Sequence, residues 1–316
     1  MRAHDSAIQS STIAVSGTGN TAGSAAGNTA AAGGTVRAAL GVVCFSLSFP
    51  ATVWALDGFG PWTSTGLRGL LAAALAAVCL KLSRVPLPAR RHWPGLVAVA
   101  LGCVLGFPLL TTLALQTSST AHTAVVVGLL PLATATVAAL RSRTRLSRTF
   151  WGAALGGAAV VLAFTLQQSG GAFSLADLYL AGALLVCAVG YAEGGRLARE
   201  MAGWQVIGWA VVAAAPLMAV VTALALPAEP VHLTFRALTG LAYVAAVSQF
   251  GGFVLWYRGM AQIGVPRASQ LQLAQPLLTL FWAVLLLSEE LPLAAPVTAV
   301  GVLACIAVTQ RARTKG

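Results

Sequence analysis

Residues 121–140, AHTAVVVGLLPLATATVAAL, align without a gap on residues 266–285, PRASQLQLAQPLLTLFWAVL. Pro131 falls on Pro276, Leu132 on Leu277, Thr134 on Thr279, Ala138 on Ala283 and Leu140 on Leu285. Each stretch is a long apolar run with one proline near its middle. In a helix interior, proline removes a hydrogen bond and clashes with the preceding turn. Proline-interrupted helices at matching places in two halves of a membrane protein point to a solute site at the interface between repeats.

The composition places both stretches in a bilayer. Of 316 residues, 58% are hydrophobic and 9% charged, where soluble domains carry about 25% charged residues. Apolar segments recur at 37–56, 61–81, 94–114, 117–140, 150–167, 176–197, 203–226, 237–257, 266–288 and 292–310. Most approach the ~20 residues needed to cross the hydrocarbon core. Lipid leaves backbone groups unsatisfied, so such segments must be helices. The two-residue alternation of a membrane barrel is absent. The expected fold is an all-α integral membrane protein with ten transmembrane helices.

The net charge of +11 reflects topology, and nucleic acid is not expected as a partner. With the N-terminus in the cytoplasm, 17 of the 19 Lys and Arg residues fall on cytoplasmic loops or tails, leaving Arg68 within a helix and Arg236 outside. Positive charge inside sets the orientation and predicts a multi-pass protein of the cell membrane with both termini cytoplasmic. Asp57, Asp177, Glu229, Glu289 and Glu290 fall at the opposite face.

Residues 1–35, rich in Ser, Thr, Gly and Ala and free of aromatics, read as a disordered cytoplasmic tail. The five cysteines all lie in apolar segments without metal-ligand spacing, so no metal or other cofactor is expected. Gly152/Gly156 and Gly190/Gly194 have GxxxG spacing. In a chain with 33 glycines this leaves a homodimer open without arguing for it.

Helices one to five (36–168) and six to ten (175–310) form two halves. Five is odd, so the second half enters from the opposite side and the plan is a 5+5 inverted-topology repeat. The segment SQFGGFVLWYRGMAQIGVPRASQLQLAQPLLTLFWAVLLLSEEL, ending near Glu289, and TGLRGLLAAALAA around Arg68 resemble the EamA family of the drug/metabolite transporter superfamily. The resemblance covers about residues 37–310. It implies a 5+5 helix fold that moves small metabolites or drugs, often outward. Position 144, the counterpart of Glu289, is Thr, which departs from a symmetric pair of acids.

Polar side chains within a bilayer usually face a bundle interior or a wet cavity. Ser269, Gln272 and Gln275 recur every three residues before Pro276 and share a helix face; they fit a cavity lining or hydrogen bonds between helices. Gln249, Phe253 and Trp256 share a second face by α-helical spacing, with Trp256 fitting either the cavity or an interfacial belt. Ser48, Phe107, Thr111 and Tyr191 complete the candidate substrate-binding set. Arg68 is shallow enough to snorkel towards headgroups. His122 reads as a solvated residue at the outer interface. Glu193 either pairs with Arg196 three residues on or binds a proton that couples transport.

These features predict a secondary transporter, an exporter of small amino-acid-like or amphipathic solutes. A passive channel or a lipid-carrier flippase is the alternative. A membrane-embedded enzyme is less favoured, because the four histidines are scattered at 4, 92, 122 and 232 and no cluster of catalytic groups forms. No catalytic residue is assigned. No phosphate-binding GxxxxGK[ST] loop occurs.

Overall fold

A computed structural model describes residues 20–143, 147–168, 173–263, 271–272 and 274–313. In chain order the α-helices are α1 (Asn20–Ser46), α2 (Ser48–Leu56), α3 (Pro61–Leu82), α4 (Trp93–Val99), α5 (Phe107–Ala114), α6 (Thr120–Val127), α7 (Leu130–Ser142), α8 (Arg148–Gln168), α9 (Leu175–Leu197), α10 (Gly203–Ala225), α11 (Phe235–Ala242), α12 (Gly252–Ile263), α13 (Gln275–Leu287) and α14 (Ala294–Arg313). Two π-helical stretches, Ala100–Gly106 and Tyr243–Gly251, join α4 to α5 and α11 to α12.

Among the described residues, eight spans are long and apolar enough to cross a membrane: Ala32–Leu56, Pro61–Leu82, Arg90–Ala114, Thr120–Arg141, Arg148–Gln167, Leu175–Leu197, Gly203–Ala225 and Phe235–Ile263. Two shorter apolar helices follow, Gln275–Leu287 and Ala294–Val308. The first of these is the counterpart of α7, which reaches a full span only because α6 precedes it. At the same offset, α6 corresponds to residues 265–272, of which only 271–272 are described.

The expected disorder of residues 1–35 does not extend to Asn20, where α1 begins. From residue 20 to Pro50 the chain has no proline and many alanines, the best helix formers, so the helix runs on past the apolar segment. Residues 1–19 lie outside the described residues.

Local chemistry sets the helix ends. Pro61 opens α3 at a position where its missing N–H costs nothing. Ser174 and Asp177 form a capping box at the start of α9. Two helices end on left-handed residues, α7 at Arg143 (φ 52°) and α13 at Ser288 (φ 54°). Those residues lie 145 apart, as do Pro131 and Pro276. The same offset carries the π-helical residues 100–106 onto 245–251.

The helices pair across the two halves. α1 lies along α12, α3 along α10, α8 along α14, α5 and the Ala100–Gly106 stretch along α9, and α6 along α13. Small residues permit the contacts: a side chain at Gly259 would strike the Ala38 backbone, and one at Gly102 the Val186 carbonyl. Backbones that approach this closely gain dispersion contact that lipid does not match.

Candidate functional site

Each half contributes broken helices to one central place. Between α1 and α2 the chain turns at Leu47, because Pro50 has no N–H to offer the Ser46 carbonyl. The second half fills the gap: Thr279 Oγ1 donates to the Ser46 carbonyl at 3.0 Å, Trp282 Nε1 to Ser46 Oγ at 2.9 Å, and Tyr243 OH to the Cys44 carbonyl at 3.1 Å. Beside this break, Pro131 and Pro276 start α7 and α13, and Gly128 lies against the Pro276 ring.

A polar chain crosses the space between these breaks. The hydroxyls of Ser48 and Ser248 are 2.6 Å apart. Arg68 donates from Nη2 to Ser248 Oγ at 3.2 Å and from Nε to Gln249 Oε1 at 2.8 Å. Gln249, 1% exposed, donates in turn to the Cys103 carbonyl at 3.4 Å. Both π-helical stretches take part, Ser248 and Gln249 from one and Cys103 from the other. Such wide turns recur at functional sites.

The chain borders a cavity of about 50 Å³. Ser48, Phe107, Thr111, Tyr191, Gln249, Gln272 and Gln275 line it, seven of the residues singled out from the sequence. Pro276 lies beside an adjoining space of about 30 Å³, which also touches Gln272 and Gln275. Thr111 spends its hydroxyl proton within its own helix, on the Phe107 and Pro108 carbonyls at 2.7 and 3.1 Å. Ser269 lies outside the described residues.

Three expectations fail. Trp256 is buried in the seam between α1 and α12, with Ala38, Val42, Phe45 and Ile263, rather than in the cavity or a belt. Gln249 and Phe253 both line the cavity, whereas Trp256, three residues further along α12, turns to the close seam with α1. Arg68 does not snorkel. It lines the cavity, continuing a stripe begun one turn earlier by the buried Ser64 and Thr65, the signal in the sequence that its face was internal. His122 is buried, with Nε2 2.7 Å from Asp177 Oδ1 and its ring stacked on Phe164. Ser248 and Thr52, which sequence reasoning missed, also line the cavity.

Glu193 lies apart from the cavity, 2% exposed, at the basic end of α9. Arg196 Nε is 3.1 Å from its Oε2. Arg141 Nη2 lies 2.6 Å from its Oε1, off hydrogen-bond alignment. Arg196 also reaches Glu200 at 3.1 Å, and His92 Nε2 lies 2.9 Å from the other Glu200 oxygen. The bond from His92 holds the Glu200 carboxyl below its ordinary range. This chain of charges ties the two halves together at the basic face.

The opposite face is closed by different bonds. Glu229 accepts from the backbone N–H groups of Trp62 and Thr63 at 3.2 and 2.8 Å, and Glu289 from those of Thr120 and Ala121 at 3.0 and 3.2 Å. Both carboxylates satisfy the orphan donors at the start of a helix in the other half. Arg236 pairs with Asp57 at 3.2 Å and stands over the Trp54 ring.

Known proteins share this plan. The uncharacterized transporter YdeK of Bacillus subtilis strain 168 is 41% identical over 278 residues, covering 88% of this chain and 97% of YdeK. The uncharacterized transporter YcbK of the same organism is 28% identical over 278 residues, covering 83% of this chain and 88% of YcbK. A solved crystal structure matches the fold with a TM-score of 0.63 at 22% identity, over 87% of this chain and 97% of its own. The model of the EamA-like transporter family matches twice, at residues 33–165 and 174–310. The chain belongs to the EamA-like transporter family and is a multi-pass membrane transporter.

Proposed function

We propose that this chain is a ten-helix secondary transporter of the cell membrane, built as a 5+5 inverted repeat (36–168 and 175–310) with both termini in the cytoplasm. It exports small amino-acid-like or amphipathic solutes by alternating access. The observation that carries this reading is the polar chain Ser48–Ser248–Arg68–Gln249, drawn from both halves and set between two proline breaks. Polar side chains inside a membrane bundle are costly and mark solute paths, and inverted-repeat transporters place their sites at the interface between repeats. The repeated π-stretches, the left-handed ends of α7 and α13 and the cross-half pairing support the inversion. The basic loops at one face support the orientation.

At about 50 Å³ the cavity has room for a water molecule or two but not for a metabolite. A solute enters only when the halves part, which fits alternating access better than a standing channel. Counterflow in proteoliposomes tests this. Vesicles preloaded with a transported solute should take up its labelled form faster than empty vesicles. Equal rates with and without preloading mark a passive channel, and movement of a lipid-linked probe without solute counterflow marks a flippase.

A further inference from the structure

The cavity holds the charged guanidinium of Arg68, which no acid among the described residues neutralises. Of the guanidinium's five N–H donors, two are bonded, both to neutral oxygens, Gln249 Oε1 and Ser248 Oγ. No carboxylate among the described residues lies within 4.0 Å of it. The acids are committed elsewhere: Asp57 to Arg236, Asp177 to His122, Glu193 to Arg141 and Arg196, and Glu200 to Arg196 and His92. Glu229 and Glu289 hold helix starts, Glu290 is exposed, and Asp5 lies outside the described residues. A guanidinium does not shed its proton, and an uncompensated charge in a membrane interior is strongly unfavourable.

We propose that Arg68 binds the carboxylate of a monoanionic, amphipathic solute. This rests on reading the cavity as the transport site. The guanidinium fork matches a carboxylate through paired, charge-assisted bonds. One cation neutralises one negative charge, so a dianionic phosphate is disfavoured. Phe45, Phe49, Phe107 and Phe253 line the same cavity and take the apolar body. Gln272 and Gln275, also at the wall, supply amide groups to any further polar substituent.

The test is binding to the purified full-length protein, followed by tryptophan fluorescence, with acids matched to their own amides. The pairs are phenylacetate with phenylacetamide, isovalerate with isovaleramide, and N-acetyl-L-phenylalanine with N-acetyl-L-phenylalaninamide, with phenyl phosphate added. The acid of at least one pair should bind about tenfold or more tighter than its amide, the worth of one charged hydrogen-bond pair. Phenyl phosphate should bind more weakly than phenylacetate. Arg68→Gln should erase the preference for the acid, and Arg68→Lys should keep part of it. Amides equal to acids in every pair, tighter binding of the phosphate, or an acid preference that survives Arg68→Gln overturns the assignment. The wild-type comparison decides even if Arg68→Gln does not fold. Binding in detergent is read separately from counterflow, so a protein that prefers acids but shows no counterflow retains the Arg68 site and loses the transport reading.

Discussion

Arg68 and Gln249, 181 residues apart in sequence, meet across the repeat interface, with Arg68 Nε 2.8 Å from Gln249 Oε1. The bond joins α3 to a π-helical turn, and the neutral amide orients the guanidinium without cancelling its charge. A glutamate at 249 would replace that amide oxygen with an internal counter-ion. Gln249→Glu is therefore expected to raise the melting temperature and lower transport by about tenfold or more, because the solute then competes with a built-in anion. Paired thermal melts and counterflow check this, and unchanged transport would remove Arg68 from the solute's path.

The amides at the α13 break carry a second prediction. Gln272 and Gln275 border the cavity, and losing one hydrogen bond to a buried solute group costs about 1–3 kcal/mol. Gln272→Leu and Gln275→Leu should each reduce transport efficiency roughly five- to hundredfold with normal membrane insertion. Phe281→Leu, on an exposed face of the same helix, serves as the control and should be near silent. Strong loss in the control with none in the other two would place the site on another face.

Much of this site was legible in the sequence because its cause is local. The prolines at 50, 131 and 276 each remove a backbone donor from an apolar segment, and a carbonyl freed in lipid must find a partner. What stayed hidden depends on rotation and on distant partners. The face shown by Trp256 is set by the packing of α1 along α12, which no residue pattern announces. The burial of His122 depends on Asp177, 55 positions away. Arg68 turned inward rather than towards headgroups because Ser248 and Gln249 of the other half await it.

Orientation is tested by labelling. In a variant without the five native cysteines, Arg199→Cys should resist an impermeant thiol reagent added outside intact cells, and Leu233→Cys should react. Both positions are exposed loops, so accessibility follows membrane side. The reverse pattern would invert the proposed topology.

At the basic face, the Glu200 carboxyl is held below its ordinary value of 4.5 by the bond from His92. A depressed carboxylate stabilises the fold above its unfolded value, and that contribution is lost as pH falls through the folded value. Thermal stability should therefore decline as the pH is lowered from about 5 towards 3, and Glu200→Gln should be less stable than wild type at pH 6 with a shallower decline. Parallel curves for the two proteins would show that Glu200 contributes nothing.

Glu193 decides between a clasp and a proton carrier. It lies between Arg141 and Arg196, with Arg141 from the first half and Glu193 from the second, while Tyr191, two residues earlier, turns to the cavity and meets Phe253. A carboxylate so placed has no path to the solute, so its part is to hold the basic face closed. Removing one partner of a buried pair costs 3–5 kcal/mol when all groups are desolvated. Here the arginine side chains are 57% and 34% exposed, which reduces the loss to about 1–2 kcal/mol. Glu193→Gln should thus lower the melting temperature and the amount of protein in the membrane, and Arg141→Gln added to it should restore part of the stability by removing the unpaired cation. Protein that survives should keep its response to a pH gradient. A Glu193→Gln variant with wild-type stability and transport uncoupled from the gradient would make Glu193 the proton carrier and sink the clasp.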